Sequence, residues 1–452
     1  MIDYWRDAIM GVVIGDALGC PVEFEDRAAR VKDPVTDMRG YGTFQMPAGT
    51  WTDDSSMTLA LLDSIRQTNQ LDLKHIMNCF MKWVYDGEYT PFGKAFDVGR
   101  GTSRAIAAFK HRGNPRQCGS YAESNNGNAS LMRIMPACLY CFEKGLDDRA
   151  AIREIHAVGS LTHAHIRSNI ACGLYYFMVK NALLERGTRK EYCLQKGISE
   201  GFTFYEKELA DHENLEYYQR LRDLEQFAKT PESEIRSSGY VVDTLEAAVW
   251  CLLTTDSFTE ALLKAVNLGD DTDTVGAVCG GLAGLLYPHF DAWGQLPAKW
   301  VKTIQRSQWI EELCREVNDR SELRMEETHP CIGFSMDDPK EALAHIDRVL
   351  VKDYGTQCGK NLLFTWDDGY RALLRCKNCG GYILLQKSEF HGSESDSYYT
   401  DYFPVSGARE ARLLNETYDG FEIEKSFPKR WMNADGEPFW VEPRDKGTEK
   451  GE

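Results

Sequence analysis

The 452-residue chain carries 69 acidic against 52 basic residues, a formal net charge of −17. That balance argues against non-specific nucleic-acid binding, which needs clustered Lys and Arg. A hydrophobic fraction of 43% is that of a globular chain, long enough for two to three domains, and no apolar run reaches the roughly 18 residues expected of a membrane span. The fourteen cysteines are scattered through apolar segments, as in Ala137-Cys138-Leu139, which suits a reducing compartment. The start, Met1-Ile2-Asp3-Tyr4-Trp5-Arg6-Asp7, lacks the basic-then-apolar plan of a secretory signal. A cytoplasmic location is expected.

Residues 9–18 read as a buried helix in which Gly15-Asp16-Ala17-Leu18-Gly19 allows close backbone approach. Pro21 ends it, and Glu23 follows on a loop, where a solvated acid is the plainer expectation. After a Gly- and Pro-containing loop, Thr52-Asp53-Asp54-Ser55 heads an apolar helix. A further amphipathic helix covers 71–85. Phe96-Asp97-Val98-Gly99 then forms a loop opening another helix. Residues 124–136 are a polar Asn/Gly loop running into a helix start, with Gly127, Asn128, Ala129 and Ser130 at its centre. Such a loop can offer backbone N–H groups to an anion, or be a plain turn. Thr162-His163-Ala164-His165 separates helices over 149–161 and 169–184; it is a His pair packed between helices or a metal site, but lacks Cys or carboxylates at zinc spacing. Residues 205–238 are strongly charged and read as a solvated helical excursion, and 258–267 as a short amphipathic helix.

That helix delivers the chain to Gly269-Asp270-Asp271-Thr272-Asp273-Thr274, followed by a long apolar, Gly- and Ala-rich run. The acids fall at a helix N-terminus, where unpaired N–H groups and the dipole favour negative charge. One Asp or Thr is enough for a cap. Three carboxylates and two hydroxyls also present the hard oxygens that Mg²⁺, Mn²⁺ or Ca²⁺ prefers. The 52–54 cluster repeats this logic, and gathering Asp53, Asp54, Asp271 and Asp273 without a counter-charge would be strongly unfavourable. Bound divalent cations resolve it.

Beyond about residue 325 helical periodicity gives way to aromatic and alternating stretches, broken by Asp367-Asp368-Gly369, a hairpin signal. Cys376 and Cys379 have the look of a zinc knuckle, with Cys358 and His391 as the nearby further candidates for the four ligands a structural site wants. The charged tail is expected to be disordered. The fold class is mainly α, with a helical domain over 1–320, a smaller α+β domain over 325–445 and a disordered tail over 446–452.

In order along residues 1 to about 310, Gly15-Asp16-Ala17-Leu18-Gly19 with Glu23, Thr52-Asp53-Asp54-Ser55, Asp97-x-Gly99, Gly127-Asn128-Ala129-Ser130-Leu131-Met132-Arg133, Thr162-His163 and Asp271-Thr272-Asp273-Thr274 resemble the motifs of the ADP-ribosylglycohydrolases. Asp270 stands where many members carry a second Gly. The resemblance implies a compact all-helical core and two Mg²⁺ or Mn²⁺ ions held by Thr52, Asp53, Asp54, Asp271, Asp273 and Thr274. It implies an ADP-ribosylated protein or small ADP-ribose conjugate as substrate, with the diphosphate along the Gly127 loop and His163 at the distal ribose or the phosphates. Cleavage at the ribose anomeric carbon then needs a leaving-group acid and an activated water, and Asp97 and Glu23 are the carboxylates left for proton transfer or gating. The C-terminal domain matches nothing in that family. Two other readings stand beside this one. A non-catalytic ADP-ribose-binding module fits less well with an intact ligand set. A haloacid-dehalogenase-like phosphatase would need Asp271-x-Asp273 to follow an apolar strand, whereas 261–267 reads as helix.

Overall fold

The computed structural model describes residues 4–185, 188–208, 212–287, 296–328, 348–357, 366–376, 382–391, 396–405, 408–417, 430–434 and 437–441. The chain divides into two compact units, Met1–Arg320 and Ser321–Glu452. No described helix is long and apolar enough to cross a membrane.

The first unit is helical. Its centre is a pair of helices, α1 (Tyr4–Gly19) and one over Thr272–Leu286, more than 250 residues later in the chain. Among the helices between them are α2 (Asp53–Thr68), α3 (Arg100–Arg112), α4 (Ile166–Leu184), α5 (Val241–Leu253) and α6 (Phe258–Val266), and the helix over Thr272–Leu286 is called α7. Helices α1 and α7 run antiparallel in backbone contact. A Cβ placed on Gly11 would lie 2.2 Å from the Gly280 carbonyl oxygen, and one on Gly15 1.9 Å from that of Gly276. Glycine is required there because only a missing side chain lets two backbones approach so closely. The pair is buried almost throughout, and α4 is seated against it through Tyr175, whose hydroxyl donates to the Val278 carbonyl at 3.0 Å.

The charged stretch over 205–238 is not simply a solvated excursion. Leu215, Tyr218, Leu221, Leu224 and Phe227 are buried, and the Tyr218 hydroxyl donates to the Arg167 carbonyl of α4 at 2.7 Å. Apolar residues spaced among the charges give this segment a buried side that composition alone hides.

The second unit contains an antiparallel meander of six strands, β1 (Arg348–Gln357), β2 (Trp366–Cys376), β3 (Tyr382–His391), β4 (Asp396–Val405), β5 (Arg430–Ala434) and β6 (Glu437–Val441), in that order across the sheet. Helix α8 (Ala408–Thr417) supplies Ala411 and Leu414 to a core with Leu373, Leu384 and Phe403. The hairpin turn expected at Asp367-Asp368-Gly369 is absent: those residues lie inside β2, where the pairing with β3 shifts between Asp367 and Tyr370. An Asp-Gly step suits a bulge as well as a turn. Cys376 ends β2, while Cys379, Cys358 and the tail over 446–452 lie outside the described residues, and with them the zinc site.

Candidate active site

Helices α2 and α7 aim their N-termini at one point. Asp53 and Asp54 occupy the first turn of α2 behind Thr52, and Asp273 the first turn of α7 behind Asp271. Neither Thr52 nor Asp271 caps its own helix with its side chain, so capping does not account for these residues. Their side chains meet across the chain instead. The Thr52 hydroxyl lies 3.1 Å from Asp273 Oδ2 and 3.3 Å from Asp54 Oδ2. The Thr274 hydroxyl reaches the same Asp54 oxygen at 3.3 Å. Backbone contact between α1 and α7 sets this meeting, since a Cβ on Gly19 would fall 2.3 Å from the Asp273 nitrogen.

Glu23 corrects the expectation of a solvated loop acid: it is only 4% exposed. Its neighbours explain this. Phe24 N–H donates to the Asp270 carbonyl at 2.7 Å and Asp270 N–H to that of Glu25 at 2.8 Å, which clips the loop onto the start of α7. Glu23, Asp271 and Asp273 can each offer an oxygen within 4.8 Å of the others. Asp97, half-buried with φ 52°, stands close enough to Glu23 for each to raise or lower the other's proton affinity.

The Asn/Gly loop borders the same cluster. Its backbone is fastened to the approach to α5, with Asn128 N–H donating to the Gly239 carbonyl at 3.1 Å and Val241 N–H to that of Asn126 at 3.0 Å. Asn128 Nδ2 donates to Asp271 Oδ2 at 2.8 Å and to the Thr244 hydroxyl at 2.9 Å. Ala129 is half-buried and Ser130 fully buried beneath the loop. His163 packs under Gly127 and Gly101, where added Cβ atoms would come within 3.4 and 3.1 Å of its Nε2. Its Nδ1 meets the Thr162 hydroxyl at 2.8 Å. Burial, helped by Arg133, lowers its pKa to about 3, so the ring is neutral.

Asp16 is a further member of the site, beyond the residues expected from sequence. It is wholly buried and accepts from Thr52 N–H (2.9 Å) and hydroxyl (3.0 Å) and from Ser55 N–H (3.0 Å) and hydroxyl (2.5 Å). The signal was present: a lone acid inside an apolar, Gly-rich helix needs partners. Thr244, which positions Asn128, had no comparable signal.

Burial raises the Asp53, Asp54 and Asp273 carboxyls well above the ordinary range, and the neighbouring acids add to the effect. Glu23 is pushed up by burial and then by Asp273 and Asp97. Burial takes Asp16 to about 7 and Asp97 to about 6. No ion pair among the described residues reaches these acids, and buried Asp54 Oδ1 and Glu23 Oε2 have no hydrogen-bond partner. Such an oxygen-rich, charge-deficient set suits a hard divalent cation.

The stability consequence has a definite sign. For Asp16 the folded chain binds more protons than the unfolded one between 3.8 and about 7, so stability is highest at the acid end of that window and falls as pH rises through it. In EDTA the melting temperature should therefore decline from about pH 5 to about pH 8, and added Mg²⁺ should restore more of it at the higher pH. A metal-free chain that melts higher at the alkaline end would show that these acids are ionised without a cation.

A sequence model of the ADP-ribosylglycohydrolase family matches residues 2–327. The chain is 34% identical over 324 residues to the ADP-ribosylarginine hydrolase Tri1 of Pseudomonas putida (strain GB-1), covering 71% of this chain and 79% of that protein. It is 29% identical over 299 residues to the ADP-ribosyl-[dinitrogen reductase] glycohydrolase of Rhodospirillum rubrum, covering 66% and 88%. Among solved structures, one titled "ADP-ribosylglycohydrolase-related protein complex" superposes with a TM-score of 0.55 at 28% identity, covering 70% of this chain and 96% of that one. A mainly helical fold with a carboxylate-lined site at converging helix ends is thus that of a glycohydrolase. The chain belongs to the ADP-ribosylglycohydrolase family and is an enzyme of that kind.

Proposed function

We propose that this enzyme removes ADP-ribose from arginine side chains of modified proteins, in the cytoplasm, by cleaving the bond at the anomeric carbon of the distal ribose. The observation that carries the reading is the buried acid cluster with its two unpartnered oxygens, Asp54 Oδ1 and Glu23 Oε2, bordered by the Asn128 loop. The arginine linkage is favoured by the likeness to the Pseudomonas putida hydrolase. Catalysis belongs to the Met1–Arg320 unit, because every motif lies before residue 280 and the family match ends at 327. The second unit is an accessory domain.

Thr52, Asp53, Asp54, Asp271, Asp273 and Thr274 would hold two Mg²⁺ or Mn²⁺ ions. Bound there, divalent cations supply charge neutralisation and a template for ribose hydroxyls. Asn128 holds the Asp271 carboxylate in one orientation through its 2.8 Å hydrogen bond, the kind of support that keeps a ligand aligned. Glu23 and Asp97 are neighbours and both have raised pKa values. A proton held between them is available to the departing guanidine nitrogen, and the carboxylate left behind can take one from the attacking water. The Gly127–Ser130 backbone receives the diphosphate, and neutral His163 beneath it fills the space under Gly127 without adding a charge.

The test is release of ADP-ribose from an arginine-ADP-ribosylated protein. Turnover should be lost in EDTA and return with Mg²⁺ or Mn²⁺. Full turnover by a verified metal-free preparation would sink the metal requirement, and no release with either ion would sink the activity.

A further inference from the structure

Three aromatic residues, two of them adjoining Glu23 and Asp97 in the chain, are not used by the function proposed above. Phe24 follows Glu23 and Phe96 precedes Asp97, and Phe44 joins them, with ring centroids 6.3 Å from Phe24 and 5.3 Å from Phe96. The Phe24 ring is 68% exposed. Its backbone is at φ 66°, a left-handed conformation that a bulky residue rarely adopts and that clusters at ligand sites. A phenylalanine held in that conformation and left in water does not serve the core. Its position is also fixed. Phe24 N–H is bonded to the Asp270 carbonyl, and the Thr43 hydroxyl donates to the Glu23 carbonyl at 2.8 Å, tying the turn that carries Phe44 to the same loop.

We propose that Phe24, Phe44 and Phe96 form the acceptor subsite, an edge-to-face ring cluster that receives the guanidinium-bearing arginine side chain to which ADP-ribose is attached. This rests on the function proposed above and names how its acceptor is recognised. The chemistry that selects the occupant is the pairing of ring faces with acids. Guanidinium groups stack on aromatic faces and are drawn to carboxylates, and the ring cluster is joined in sequence to two of them. A nucleotide base would gain from the rings but brings no positive charge to the acids. A serine-linked acceptor, neutral and small, would use neither.

The experiment compares wild type, Phe24→Leu and Phe24→Tyr in the full chain with Mg²⁺ present. It measures KM for an arginine-ADP-ribosylated peptide and, separately, inhibition by free ADP-ribose. Phe24→Leu should raise KM about two- to five-fold, the span of a solvent-facing cation–π contact. Phe24→Tyr should restore it, and inhibition by ADP-ribose should be the same in all three. Melting temperatures should also agree, since the ring is exposed. If Phe24→Leu weakens ADP-ribose inhibition as much as it raises KM, the ring stacks on the base and the acceptor subsite is wrong. An unchanged KM in Phe24→Leu overturns it too, while leaving arginine-linked hydrolysis standing. A wild-type chain that does not cleave the peptide overturns both.

Discussion

Asp273→Asn should lower turnover by at least about a thousand-fold while raising the melting temperature of the metal-free chain. The substitution keeps shape and removes one charge. Asp273 sits 3.1 Å from the Thr52 hydroxyl through one oxygen and accepts Thr274 N–H at 2.9 Å through the other. Its carboxyl is pushed up by burial and then by Asp271, Asp97, Asp16 and Asp53. Removing a charge from so crowded a group relieves repulsion in the apo state, yet takes a hard oxygen away from any cation bound there. Asp54→Asn should behave alike, because its Oδ1 has no protein partner to lose. Asp16→Asn is the contrast. That carboxylate accepts from four donor groups of Thr52 and Ser55, and an amide would turn an N–H against one pair of them. It should lose stability as well as activity. The check is a pair of measurements on each variant, turnover with Mg²⁺ and melting in EDTA. If Asp273→Asn keeps near-normal turnover, the cluster is not the reaction centre. If it melts lower in EDTA, Asp273 is chiefly structural.

What the sequence made legible were features that repeat or concentrate. Thr52-Asp53-Asp54 and Asp271-Thr272-Asp273 each stand out against the apolar helix that follows; the repeated pattern is what pairs them, and the repulsion between their charges is what calls for a cation. Helix positions followed from periodicity, with α6 expected over 258–267 and found at Phe258–Val266. The burial of Glu23 was hidden because it depends on Asp270, about 250 residues away in the chain, and no local pattern reports a contact at that separation. Thr244 was hidden for the same reason, being an ordinary helix residue until Asn128 meets it. The bulge at Asp367 to Gly369 was missed because turn and bulge draw on the same residue types.

Gly276→Ala should lower the melting temperature by roughly 6–12 °C, the equivalent of about 3 kcal/mol in a domain of this size. The added methyl would lie 2.4 Å from the Gly15 carbonyl oxygen and 2.9 Å from its carbon. Those are backbone atoms of a buried helix and cannot rotate away, so α1 and α7 must separate. The better helix propensity of Ala, worth under about 1 kcal/mol, cannot offset that. Separation also reaches the site, since Gly15 adjoins Asp16 and Gly276 lies one turn from Asp273. Turnover by the folded fraction should therefore fall with stability. Gly159→Ala is the control: its Cβ would meet nothing closer than 3.4 Å, and it should melt within about 2 °C of wild type. Thermal melts of both variants with Mg²⁺ present decide the matter. If Gly276→Ala matches Gly159→Ala in melting and turnover, the helix pair yields to a methyl group and is not the rigid mount that holds Asp16 against Thr52 and Asp273.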